Sequence, residues 1–414
     1  MRPLDGIRVL ALENYYAGNY GSHLMRRFGA EIIKVEMPGG GDVLHNVGPF
    51  TDGPNGRRSI GEIRVMGGKK SVVINLKNPD GRAILMRLVS VCDVVWTNMK
   101  PASLRRLGID FESLKEANPE IVYGSMSGFG HDDVYPSGPY GDLTAFDIIA
   151  QGMAGLQFRT GTTDGKPGYN GLALGDQVTA ILAVLGIVLA LYRRTHTHEA
   201  QRVDVAMHDA MVTLMELPLG FYLVTGKLPP RGRSSTSAPF GAFPSSDGWV
   251  NLGVGGNPVW QRFCVAVDRL DWLEVDDFKS SQGRIAHRDE IEPWIAEWTA
   301  VRSTDELVAI MREHQIPCAP ILDMPEVVAS PQVAARDMLL TVNDPVVGER
   351  RVVGDPIKIG GMTYPEADPP ALEVGQDTEA VLRDLLDLAP DEIEALEVSE
   401  AISTGTKEVR QTGR

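Results

Sequence analysis

The 414-residue sequence predicts an α/β protein: a Rossmann-like large domain with a mostly parallel sheet, split by a smaller α+β domain. Three observations carry this. Short β-rich runs alternate with helical stretches through the first half. A Pro-, Gly- and Ser-rich break follows Thr225, and strand-like runs return after Leu339. The length alone already asks for two domains.

Taken in order, Ile7–Leu12 (IRVLAL) reads as a buried strand, Gly18–Phe28 as a helix and Glu31–Glu36 (EIIKVE) as the next strand. Ser71–Leu76, a helix from about Asp80, and Asp93–Trp96 repeat that unit. Ile121–Ser125 adds a strand, and Arg202–Ala206 another after a long uncharged helix over Gln177–Tyr192. The segment GKLPPRGRSSTSAP reads as a linker. Beyond it, Phe243–Val254 forms a hairpin turning at Ser245–Gly248, with helices at 257–270, 286–300 and 304–314. The runs MLLTV, RRVVG and IKIGG are strand-like and precede two acidic amphipathic helices. The expected boundaries are therefore 1–225 and 326–403 for the large domain and 226–325 for the small one. A tail at 404–414 lacks apolar periodicity and is expected to be disordered.

Composition narrows the partners. Fifty-five acidic against 40 basic side chains give a net charge of −15, which argues against a nucleic-acid partner. An anionic ligand would need a local basic pocket. Cys92, Cys264 and Cys318 are scattered, with no CxxC pair, which suits a reducing compartment and a cytoplasmic location. The first apolar stretch contains an acid and no long h-region, so no secretory leader is expected. Val178–Leu191 reads as a buried helix too short for a bilayer, so no membrane partner is expected.

Most familiar motifs fail. The first strand–helix turn, Glu13 to Gly18, lacks GxGxxG. Pro38–Asp42 is Gly-rich but has no following Lys-Ser or Lys-Thr. Gly124–Gly128 carries Met126 where a nucleophile elbow needs serine. His196 and His198 fall in a polar loop without a carboxylate–histidine cluster, and no metal site is expected.

Asp176, at the start of the long uncharged helix, is the most informative residue. Helix N-terminal amides favour its charge while apolar surroundings resist it. A partly desolvated carboxylate facing backbone donors is a setting for a nucleophile and an oxyanion. A plain helix cap is the structural alternative.

The segments PLDGIRVLAL…FGAEIIKVEMPGGGD, Asn98-Met99-Lys100-Pro101, Phe146-Asp147…Gln151, Gly175-Asp176, RVDVAMHDA, IPCAPILDM and RVVGDP together resemble the class III CoA-transferases, the CaiB–BaiF family. The resemblance covers nearly the whole chain. It implies that Asp176 is the catalytic nucleophile, that coenzyme A enters as an acyl-CoA co-substrate, and that a carboxylic acid is the acceptor. It also implies a ring-shaped chain in an interlocked homodimer. For coenzyme A it points to Tyr15, Tyr16, Ile74, Asn98, Met99, Lys100, Arg106 and Asp147, with Arg106 and Lys100 positioning phosphates and Ile74 contacting adenine. Met37 stands where a basic residue is usual in that family, and Ala102 where glycine is usual. Tyr15-Tyr16 replace smaller residues, which favours a bulkier acyl group than formyl or oxalyl. Two alternatives remain: an α-methylacyl-CoA racemase, for which only the distant His131 offers a second base, and a CoA-binding protein without turnover.

Overall fold

The computed structural model describes residues 1–405 except 142, 163 and 366. The first of two compact units comprises Met1–Leu156, Gly171–Glu216 and the chain from Ala334 onward. Its centre is a seven-stranded sheet in the order 402–403, 70–74, 31–36, 8–12, 94–97, 122–127, 201–206. All neighbouring pairs are parallel except the last strand, Ile402–Ser403, which runs antiparallel to Lys70–Ile74. Among the six parallel strands the first and fourth in chain order lie side by side, and the chain winds away from them in both directions. This is the doubly wound order, and its ligand crevice lies beyond the carboxyl ends of those two strands. Leu12 and Thr97 end them.

The strands 8–12, 31–36, 70–74 and 94–97 are mostly β-branched and aliphatic and buried on both faces, as a sheet covered by helices requires. One face packs Leu10, Ile33, Val72 and Val95 under the helix Pro79–Ser90. The other packs Val9, Ile32, Val94 and Val122 under the helix Tyr15–Arg27 and the long helix. That long helix runs over Leu174–Thr197, 24 residues, and not the shorter span read from the sequence. Its length and composition would allow a bilayer crossing, correcting the expectation that it is too short. Here it packs Ala180, Ala183, Ile187, Ala190 and Leu191 into the core. His196 belongs to its last turn and His198 is its left-handed C-cap, so the pair is not in a loop.

A second, three-stranded sheet joins Gly348–Val353, Leu339–Asp344 and Ala367–Asp368. Ile357–Gly361, expected as a strand, is irregular. No neighbouring strand offers it a ladder, and the Tyr364 hydroxyl accepts the Ile359 N–H instead, at 2.6 Å. Thr404 donates its hydroxyl to Glu397 at 2.7 Å, so the order reaches past the expected tail boundary; 406–414 lie outside the described residues.

The other unit comprises Gln157–Asn170 and Leu217–Val333. Its antiparallel sheet orders 318–320, 249–253, 240–244, and its core gathers Phe243, Val250, Leu252, Trp260, Phe263, Ile291 and Ile295. The sequence reading placed this unit at 226–325 and did not assign 157–170 to it.

The C-terminal segment is tied to the first helix by charge. Arg27, almost fully buried, places Nε 2.6 Å from Asp355 and Nη1 2.8 Å from Asp368. Arg64 donates to the same two carboxylates. Arg26 also donates to Asp368, so three guanidinium groups face two carboxylates; loss of Arg27 leaves both acids paired but strips each of one buried charge-assisted hydrogen bond, at about 1.5–3 kcal/mol per bond. Arg27→Met is therefore expected to lower the denaturant midpoint markedly in equilibrium unfolding, whereas exposed Arg233→Met is expected to leave it nearly unchanged.

Candidate active site

The crevice is built from the two loops that leave the central strands. Asn98 lays its side-chain amide against the backbone of Asn14: its Oδ1 accepts the Asn14 N–H at 2.9 Å and its Nδ2 donates to the Asn14 carbonyl at 2.8 Å. Asn14 in turn caps the first helix, accepting from Tyr15 N–H, and accepts from Val43 N–H at 3.0 Å. Tyr15 follows with φ near 59°, a left-handed conformation unusual for tyrosine. Its N–H is fixed by Asp42 Oδ1 at 2.9 Å, and Asp42 is paired with buried Lys34 at 2.7 Å.

Two cavities flank this bridge, and Asn14, Met99 and Ser103 belong to both walls. One, of about 540 Å³, brings Ile74, Met99 and Arg106 together with Lys77 and the exposed Met37. Its acids are already engaged: Glu36 with His45 and Ser71, Asp42 with Lys34, Glu13 with Lys69. Neither Arg106 nor Lys77 has a carboxylate partner among the described residues, so the local charge available to a ligand is positive despite the acidic whole.

The other cavity, of about 370 Å³, contains Asp176 together with Tyr15, Asn98, Met99 and Lys100. Phe146 meets Tyr15 edge to face at 6.0 Å, and Met126, Leu143 and Met207 extend the apolar wall. Lys100 hydrogen-bonds the Thr144 hydroxyl here and does not line the cavity that holds Arg106. Tyr16 lines neither cavity. Its ring stacks on Tyr20 and its hydroxyl accepts from Gln177 at 3.2 Å, so the steric expectation drawn from both tyrosines rests on Tyr15 alone.

Asp176 is the third residue of its helix and not its cap; the cap position is Ala173, with no side-chain bond. The helix start is instead held by Asp147, whose carboxylate accepts from Gly175 N–H at 2.5 Å and from Gln151 Nε2 at 2.6 Å. Asp147 thus stands behind the nucleophile candidate and lines neither cavity. It also uses one amide that sequence reasoning had offered to an oxyanion. A Cβ at Gly175 would lie 2.9 Å from Asp147 Oδ1, so a side chain there would push that carboxylate aside. Burial, then the like charge of Asp147, raises the Asp176 carboxyl to about 7. His131 is buried elsewhere and lines neither cavity. No cluster of three potential metal ligands occurs among the described residues. Asn14, Phe146, Lys77 and Ser103 were not among the site residues expected from the sequence; Phe146 stood in a quoted motif, and Asn14, in the turn after the first strand of a doubly wound sheet, carried a positional signal.

A family model for CoA-transferase family III matches residues 4–378. The chain belongs to that family. A formyl-CoA:oxalate CoA-transferase of Rhodopseudomonas palustris is 31% identical over 98% of this chain and 99% of its own length. A succinyl-CoA–D-citramalate CoA-transferase of Chloroflexus aurantiacus is 32% identical, covering 97% of this chain and 98% of its own. Among solved structures, a CaiB/BaiF family protein from Brucella suis superposes with a TM-score of 0.79 at 29% identity, over 93% of this chain and 99% of that one. The crevice described above is thus found on a CoA-transferase chain.

The raised carboxyl has a consequence for stability. A carboxyl whose folded pKa exceeds its unfolded value costs stability as pH rises from about 4 to about 7 and costs it fully above. Asp176→Asn removes that cost, so it is expected to melt higher than wild type at pH 8, by on the order of 2 kcal/mol at this half-buried position. The difference should shrink towards zero near pH 4, as thermal melts across that range would record.

Proposed function

We propose that this protein transfers coenzyme A between carboxylic acids with Asp176 as the covalent nucleophile. The observation that carries the reading is a half-buried carboxylate, bound by no hydrogen-bond donor among the described residues, in a cavity adjoining a second one with two unpaired cations. Arg106 and Lys77 supply charge for CoA phosphates, and Ile74 and Met99 supply apolar surface for its adenine and pantetheine. The thioester then lies across the Asn14–Asn98 bridge.

In the first step an Asp176 oxygen attacks the thioester carbonyl, the C–S bond breaks, and CoA leaves as thiolate. The product is a mixed anhydride. The thiolate then attacks the Asp176 carbonyl carbon, the anhydride C–O bond breaks, and the donor acid departs as carboxylate. The acceptor carboxylate reverses these two events on the aspartyl-CoA thioester. No net proton is needed, and acyl activation is kept throughout, provided water is excluded. The apolar wall of Phe146, Met126 and Met207 supports that exclusion. Proton transfer at the substrate Cα is less well supported, because His131 lies outside both walls.

The reading extends to a homodimer, supported by an exposed apolar stripe at helical spacing on the long helix, Ile181, Leu185, Val188, Leu189 and Tyr192, which a second copy would cover. It places the protein in the cytoplasm on its three scattered cysteines.

Brief mixing with formyl-CoA or succinyl-CoA, the donors that the relatives' names suggest, is expected to give a CoA-sized adduct by intact mass. The adduct should map to the Asp176 peptide, release with hydroxylamine and be absent from Asp176→Ala. Because only the ionised carboxylate attacks, its rate should rise with pH through about 7 and then level. An adduct mapping elsewhere would refute the assignment.

A further inference from the structure

A third cavity, of about 170 Å³, is walled by the helix Pro101–Leu107, the start of the helix Phe111–Ala117 and the strand that carries Tyr123. It shares Pro101 with the Asp176 cavity and no residue with the one that holds Arg106. Two of its side chains are almost wholly buried, each with a polar atom that has no partner among the described residues. They are Tyr123, 1% exposed, at Oη, and His131, 4% exposed, at Nε2. A buried polar group costs free energy unless something hydrogen-bonds it, so two of them on one small cavity mark a place built to receive a ligand. The Tyr123 ring is held by the Arg202 guanidinium, 4.4 Å from its centroid, and by the nearly parallel ring of Phe111 at 6.2 Å.

The sign of that ligand follows from the wall. Asp110, Glu112 and Asp133 line the cavity against a single base, Arg105. Arg202 offsets Asp133 through two hydrogen bonds of 3.0 and 3.1 Å, and Asp110 gives one oxygen to Ser113. Glu112 forms no ion pair among the described residues. Burial, then the charge of Arg202, pulls His131 down, so its imidazole is neutral and Nε2 can accept. The polar side of the cavity thus offers acceptors and negative charge, while Pro101, Leu104 and Phe111 offer apolar surface beside it. Water would satisfy the first and not the second.

We infer that this cavity binds a small primary alkylammonium ion, its ammonium among Glu112, Tyr123 Oη and His131 Nε2 and its carbon chain on Leu104 and Phe111. Three N–H donors match three acceptors, and the bond to Glu112 is charge-assisted. An anion of the same shape meets carboxylates, and an alcohol forgoes the charge. A metal ion is poorly served, since no three potential ligands cluster among the described residues. The inference does not rest on the chemistry of Asp176.

Isothermal titration of the full chain with n-butylammonium, n-butanol and butyrate, at one ionic strength, tests it. Saturable binding of n-butylammonium is expected, with n-butanol and butyrate weaker by about tenfold or more. Glu112→Gln, at an exposed position, should raise the Kd for n-butylammonium about tenfold. Tyr123→Phe removes only the buried hydroxyl and should raise it about fivefold. Asp176→Ala should leave it unchanged. No saturable binding of n-butylammonium, equal binding of n-butanol, or a Kd unchanged in either Glu112→Gln or Tyr123→Phe would overturn the inference. A Kd that rises in Asp176→Ala would place the ion in the transfer cavity and overturn it as well.

Discussion

The reciprocal pairing of Asn98 with the backbone of Asn14 is the contact on which the crevice depends. It reproduces with a side chain what a further step of the parallel ladder would have made with backbone, and so carries the pairing of the two central strands beyond the sheet. The approach is close enough that Gly18 cannot be replaced freely: a Cβ there would sit 2.7 Å from Asn98 Oδ1. Where Asn14 is fixed, Tyr15 must begin its helix in a left-handed conformation, and both cavity walls follow. An energetic cost of order 1–3 kcal/mol for such a backbone is tolerable only because Asp42, Asn14 and the helix over-determine it.

Charge is treated differently on the two sides of that bridge. Beneath it, Glu13, Lys34, Lys69 and Asp42 are buried yet mutually compensated. Burial pulls Lys69 down to about 8, while the Glu13 carboxylate works to keep it charged. Asp176 receives no such compensation. Its neighbour is another acid, already committed to Gly175 and Gln151. Around the crevice the buried charges of Glu13, Lys34, Lys69 and Asp42 are paired, and the one carboxylate left beside like charge is Asp176. Perturbed groups of that kind collect where chemistry occurs.

Legibility in the sequence followed the locality of the signal. Strands such as Glu31–Glu36 were legible because buried parallel strands are continuous β-branched runs. Ile357–Gly361 shared that composition and is not a strand, because strand formation needs an edge to pair with, and sequence does not reveal edges. The long helix was placed, but its start was read at Gln177 instead of Leu174, and the amide of Gly175 is held by Asp147, 28 residues before that glycine. Asp176 itself stood out through the apolar run behind it. Lys100 caps one helix and Tyr16 lies in the first turn of another, yet which cavity such a residue faces depends on a rotation of a few residues. The segment 157–170 carried no compositional mark of its membership in the second unit.

The strand Ile402–Ser403 closes the outer edge of an otherwise parallel sheet. An open edge is a template for pairing with other chains, and natural proteins cover or blunt it. Here the cover comes from Ile402–Ser403, while the strand that it protects, Lys70–Ile74, is synthesised more than three hundred residues earlier. During translation that edge therefore stays bare while more than three hundred further residues are added. A ribosome stalled before Ile402 would release a chain with a hydrophobic sheet assembled and one side unsealed, dependent on chaperones to stay soluble. In this fold, Ile402–Ser403 acts as a seal on quality as much as a part of the architecture.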